Sequence, residues 1–379
     1  MEKQDPGSAR QLRSLLTAAL LSPGTRLIPG AAAALGGKTA WLGPMAALPG
    51  LLLYALLLEK LGAGEALPER ALRLLGRRAR PPLLLLGLWF ACYSSFALRS
   101  GAERLQVTAY PHSGPGFFVI CLALLALFAA LGPLQGLFRL GRMTLPLLLG
   151  VLGLILWAAL RDLEPLELLP LTHQDAPALL RSTLPSLDLV SFALSARCLF
   201  PADREGGSLR RSALWTAGLC LGLTALGAAV QGRFGAALSA RLSSPLFALV
   251  RNLVFFQSLE RMEAPVVGLW ILPDFLLASL CLQAAQRCLR TALGHPPGEE
   301  KRRTDLKNGR LLIWLCAALT VTLALLPSLD PASLLFWSRT GVPLLQLTVS
   351  FLLIPGIALA CRRKEKKSTE SGMRNAELE

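Results

Sequence analysis

LLSPGTRLIPGAAA, running from Leu20 to Ala33, decides how this chain is read. The stretch is otherwise apolar, yet Ser22, Pro23, Gly24, Thr25 and Arg26 follow one another, with Pro29 and Gly30 soon after. Proline removes a backbone donor and glycine loosens a helix, so the run predicts a break between two half-helices. In hydrocarbon an orphaned N–H or C=O is costly, so a break survives only where protein or a wet cavity covers it. The stretch therefore predicts a pocket in which residues 22–26 offer unpaired amides and one cation to a ligand.

The chain around it is a membrane chain. Of 379 residues, 53% are hydrophobic and 17% charged, against about 25% charged in a soluble domain. Mean hydropathy is +0.51. A helix needs ~20 apolar residues to cross a bilayer, and about ten segments qualify. They are 11–35, 40–61, 81–99, 115–138, 143–160, 184–201, 211–231, 264–288, 310–328 and 334–361. The first and sixth carry polar interruptions. The expected class is thus an all-α integral membrane protein with a polytopic domain over 1–363.

The formal charge is +15. In a soluble protein that would suggest a nucleic-acid groove. Here Lys and Arg fall in short loops between apolar runs, so they read as topogenic charge, and no nucleic-acid partner is expected. Lys60, Arg70, Arg73, Arg77, Arg78, Arg139, Arg142, Arg210 and Arg211 cluster on one side, with Arg287, Arg290, Lys301, Arg302 and Lys307. Lys38, Arg104, Arg161 and Arg181 fall on the other, sparser side. The positive-inside rule then places both termini in the cytoplasm. Residues 232–263 alternate apolar residues with Arg241, Arg251 and Arg261, and predict amphipathic helices on the outer surface. The tail, 364–379, is charged and without aromatics, and is expected to be disordered. The N-terminal MEKQDPGSAR does not read as the start of a cleavable signal.

Ionisable residues inside spans are expensive and mark function by default. Arg26 sits in the first interruption, Asp188 and Arg197 in the sixth span, and Asp274 after Pro273 in the eighth. Besides ligand contact, Arg26 and Arg197 have a structural reading: to snorkel, or to pair with Asp188 or Asp274. Tyr93, Ser94 and Ser95 form a polar patch in the third span, explained equally by helix–helix hydrogen bonding and by ligand contact. Two interrupted spans suggest inverted repeats, about 11–160 and 184–361, with broken helices at corresponding positions. The candidate ligand-binding set is Ser22, Gly24, Thr25, Arg26, Tyr93, Ser94, Asp188, Ser191 and Asp274. No P-loop, GxSxG, HExxH or metal-ligand cluster occurs, so neither catalytic residues, nor a metal, nor a cofactor is expected. The eight cysteines form no CxxC pair and read mostly as small buried hydrophobes.

Gly24-Thr25-Arg26-Leu27-Ile28-Pro29, followed by Gly37-Lys38-Thr39-Ala40-Trp41-Leu42, resembles the opening of the spore germination permeases. These are the B subunits of germinant receptors, a branch of the amino acid–polyamine–organocation transporter superfamily. Phe255-Phe256, then Glu260-Arg261-Met262-Glu263-Ala264, resembles that family's Glu-Arg-Ile-Glu-Ala signature before span eight, and Leu199-Phe200-Pro201 its sixth-span ending. Lys38-Thr39 departs from it, standing where an acidic residue is usual. The resemblance implies a broken-helix, inverted-repeat (LeuT-like) fold of ten spans. It also implies germinant receptor A and C subunits as partners, the spore inner membrane as location, and a small nutrient such as an amino acid as ligand. A proton-coupled amino acid transporter, with Asp188 or Asp274 as relay, is the alternative. A ligand-free assembly subunit is a third reading.

Overall fold

The protein was examined as a computed structural model that describes residues 9–62, 65–108, 112–161, 163–169, 172–200, 208–242, 244–252, 263–294, 303–326, 333 and 336–376. Among the described residues every regular element is helical. The helices are α1 (Ala9–Gly36), α2 (Gly43–Leu61), α3 (Leu67–Leu75), α4 (Arg80–Thr108), α5 (Pro115–Leu131) and α6 (Leu134–Arg161). Then follow α7 (Pro165–Leu168), α8 (Ala176–Ser182), α9 (Leu184–Arg197), α10 (Ser208–Arg241), α11 (Pro245–Asn252), α12 (Glu263–Ala292) and α13 (Arg303–Ala324). The last run carries π-helical turns at Trp337–Gly341 and Val349–Leu353, separated by α14 (Val342–Thr348) and followed by α15 (Ile354–Ala376).

Among the described residues six helical runs are long and apolar enough to cross a membrane, the first of them, Ala9–Leu61, containing both α1 and α2. Pro115–Leu131 and Gly309–Ala324 are shorter apolar helices. Each of the ten expected segments overlaps one of these or α9, but 115–138 overruns the break after Leu131, and α6 begins at Leu134, nine residues before the expected 143. Helix ends follow local chemistry: α5 opens on Pro115, whose missing N–H costs nothing in a first turn, and stops at Gly132. In α10, Gly235 holds φ +69°, which kinks the helix before it runs on to Arg241.

The predicted break in the first span does not occur. α1 is helical from Ala9 to Gly36 with Pro23 and Pro29 inside it. The two prolines deprive only the carbonyls of Ala19 and Thr25 of their i+4 donors. Unwinding the turn would orphan more groups in a medium with no water to receive them. Neighbouring helices bury Ser22, Pro23, Gly24, Thr25, Pro29 and Gly30, so the irregular chemistry sits inside protein. Residues 22–26 consequently offer no free amides, and the half-helix donor site is withdrawn. The sixth span is short: α8 and α9 meet at Thr183, and α9 ends at Arg197.

Two peripheral expectations also change. α15 runs past Arg363 to Ala376, into the tail expected to be disordered. Its anchor is Glu365, gripped by Arg70 of α3 through Nε at 3.0 Å and Nη2 at 2.6 Å, while Arg70 Nη1 donates to the Leu61 carbonyl. In 232–263, α10 supplies the first part, and α11 buries Pro245, Leu246, Phe247, Leu249 and Val250 while exposing Arg251. α11 is amphipathic as expected but packs into the bundle against α1, α10 and α12. The Phe255–Met262 part of the quoted signature lies outside the described residues.

Candidate functional site

Ser22 stands midway along α1, where α4 and α12 converge on it. Its hydroxyl donates to Asp274 Oδ1 of α12 and accepts from Arg104 Nη1 of α4 at 2.9 Å. Arg104 Nη2 is ion-paired to Asp274 Oδ2. The two charged side chains are 2% and 5% exposed. Trp270, one turn before Asp274 on α12, donates Nε1 to Thr25 Oγ1 at 2.9 Å, and Thr25 in turn donates to the Leu21 carbonyl. The Arg104 guanidinium lies 5.5 Å from the Phe247 ring centre, so α11 closes the cluster from its fourth side. Gly101 permits the close approach of α4 and α12: a Cβ there would lie 2.8 Å from Asp274 Oδ2.

Next to this knot is a small cavity lined by Ser22, Pro23, Arg26, Tyr93, Phe96, Ala97, Asp274 and Leu277. Its volume is about 10 Å³, room for about one water. Tyr93 stacks on Phe192 of α9, ring centres 4.8 Å apart. Arg26 is half-buried here, and among the described residues its guanidinium makes no hydrogen bond or ion pair. Glu103, whose charge reaches Arg26, is already held by Arg99 at 3.0 Å. Asp188 of α9 sits within electrostatic reach of Tyr93, and its Oδ1 is buried without a hydrogen-bond partner.

Of the nine expected ligand residues, the structure gathers Ser22, Arg26, Tyr93 and Asp274 around one cavity. Gly24 and Thr25 face a second, apolar cavity on the other side of α1. Ser94 donates to the Ala278 carbonyl of α12 at 3.4 Å, a helix–helix contact, and Ser191 donates back to the Asp188 carbonyl at 3.1 Å. Neither hydroxyl lines the polar cavity. Arg197 pairs with neither Asp188 nor Asp274; it bonds Glu59 of α2 and Ser212 of α10, because α9 ends at the level of α2's final turn. Arg104, expected in a loop, lies on α4, which runs nine residues beyond the expected end at 99. The signal was present: Ala97, Gly101 and Arg104 recur at i, i+4, i+7, one helical face with two small residues and a charge.

Apolar helical runs long enough to cross a bilayer define the class, an integral membrane protein, and likeness to solved structures defines its fold. Forty-two chains of solved structures match it. One is a Na+-coupled sialic acid symporter in a substrate-bound, outward-open state, with TM-score 0.56 and 13% identity over 93% of this chain and 78% of that one. At that identity the likeness shows the LeuT-like fold and nothing about the ligand. The family model for spore germination proteins matches residues 8–325, and the chain belongs to that family. No curated protein matches it.

Proposed function

We propose that this chain is the membrane subunit of a spore germinant receptor, binding a small nutrient, an amino acid, at the Arg26–Tyr93 cavity and so triggering germination. The observation that carries the reading is the state of the arginines. Arg70, Arg104 and Arg197 each hold a carboxylate, while Arg26, next to the polar cavity, is ion-paired to none among the described residues. An unpaired guanidinium at that depth is costly unless something anionic completes it, and a nutrient carboxylate fits its two-pronged donor face. Asp188 is the carboxylate left to meet an ammonium group.

The cavity admits about one water, so binding requires α1, α4 and α12 to part. The nutrient therefore favours the open arrangement over the closed one, and the difference in affinity is the signal passed to the rest of the complex. The partners are the receptor's A and C subunits, in the spore inner membrane, with both termini cytoplasmic.

Spores carrying Arg26→Gln are the test. Nutrient-triggered germination falls at least tenfold in apparent affinity, the loss of ~1.5–3 kcal/mol expected for a hydrogen bond to a charged group. An unchanged nutrient response at normal protein level overturns the assignment. The proton-coupled transporter remains the second reading, because Asp188 is a buried carboxylate without a partner at Oδ1. Sustained, pH-driven amino acid uptake by reconstituted liposomes, abolished by Asp188→Asn, would establish it in place of the receptor reading.

A further inference from the structure

On the opposite face of α1 from the polar cavity lies a larger one, about 320 Å³, between α1, α6, α9 and α10. Leu20, Leu21, Leu149, Leu189, Leu219 and Leu223 are among the residues of its wall. The few polar groups there are satisfied within the protein. Trp215 Nε1 donates to Thr17 Oγ1 at 2.8 Å, Thr17 donates to the Arg13 carbonyl, and Thr25 is bonded to Leu21 and Trp270. A wall this apolar, whose side-chain donors are all in use, favours an apolar guest over water; an apolar cavity of ~150 Å³ already stays dry and takes apolar guests.

The mouth says which guest can arrive. Gly218 and Gly222 stand one turn apart on α10, both exposed, and a Cβ on either would meet no atom within 4 Å. Around them Leu214, Leu221 and Leu149 are 63%, 62% and 45% exposed. These leucines belong to helices that cross the membrane, so the opening faces hydrocarbon. We propose that this cavity is a binding site for one acyl chain of a bilayer phospholipid, entering past Gly218 and Gly222 and resting against Leu21 and Gly24 of α1. The seated chain backs the same turn of α1 that presents Ser22 and Arg26 to the polar cavity, and it fills space that would otherwise let that turn move.

The experiment uses the full chain in nanodiscs containing a phosphatidylcholine with a diazirine on one acyl chain. After illumination, adducts are mapped by mass spectrometry. Labelling of Leu149, Leu189, Leu219 and Leu223 exceeds that of Leu124 and Phe128, which are 58% and 82% exposed on α5. The double variant Gly218→Leu/Gly222→Leu adds bulk at the mouth from Cβ positions that meet no neighbour, and it lowers cavity labelling at least threefold while leaving α5 labelling unchanged. Equal labelling of cavity and α5 overturns the proposal, as does labelling the plugged variant does not reduce. Labelling by a free diazirine fatty acid but not by the phospholipid also overturns it. None of these outcomes depends on the nutrient site.

Discussion

Arg104 and Arg26 both border the same buried serine, yet their surroundings are opposite. Arg104 is enclosed by Asp274, Ser22 and the Phe247 ring, with its charge answered inside the protein. Arg26 opens onto a cavity with Tyr93 and has no carboxylate of its own. The first arrangement ties α1, α4 and α12 together; the second is the one that the proposed function assigns to a ligand. Buried cations are expensive either way, so what separates structure from function here is whether the counter-charge is built in.

The largest effect should come from breaking the closed side. Asp274→Ala strands Arg104 in a dry site and costs about 3–5 kcal/mol. Thermal unfolding in detergent should show it. Replacing both partners, Arg104→Met with Asp274→Leu, should recover most of that loss, since an apolar pair of similar volume is often neutral. Failure of the double variant to recover would mean that the knot does more than satisfy its own charges.

Gly101→Ala comes next. Its methyl would press on Asp274 at 2.8 Å and force α4 from α12, an overpacking cost of about 1–3 kcal/mol. Trp270→Phe removes the bond to Thr25 and costs ~1 kcal/mol, measured the same way. Arg26→Gln should change stability by less than ~0.5 kcal/mol while weakening the nutrient response at least tenfold, the sharpest form of the contrast with Asp274→Ala. Equal destabilisation by Arg26→Gln and Asp274→Ala would erase the distinction.

The smallest effect lies at the tail. Arg70 holds the Glu365 carboxyl below its usual range by hydrogen bonding, then by charge. A depressed folded pKa gives stability that is present above the ordinary carboxylate value and lost as pH falls through the lowered one. The side chain is 36% exposed, so solvent screens the pair and the gain stays below about 1 kcal/mol. Glu365→Gln should therefore differ slightly from the natural chain at pH 7 and match it once the pH is low enough to neutralise Glu365 in both the folded and the unfolded chain.

The amino-acid sequence alone indicated the membrane class, the rough positions of the helical segments and four members of the polar cavity. Those properties depend on local quantities: apolar length, charge in loops, and the cost of an ionisable group in hydrocarbon. The Asp274 carboxyl was legible for that last reason, and Ser22 and Arg26 because they interrupt an apolar run. Tertiary packing decided what local rules could not. Pro23 and Pro29 did not end α1, because neighbouring helices cover the turn and unwinding would orphan further backbone groups. Arg104 joined Asp274 across 170 residues of chain, and Arg197 went to Glu59 instead, because pairing depends on which helix ends meet in space. Sequence marks where a charge stands in the membrane; only the packed bundle decides whether that charge already has its partner.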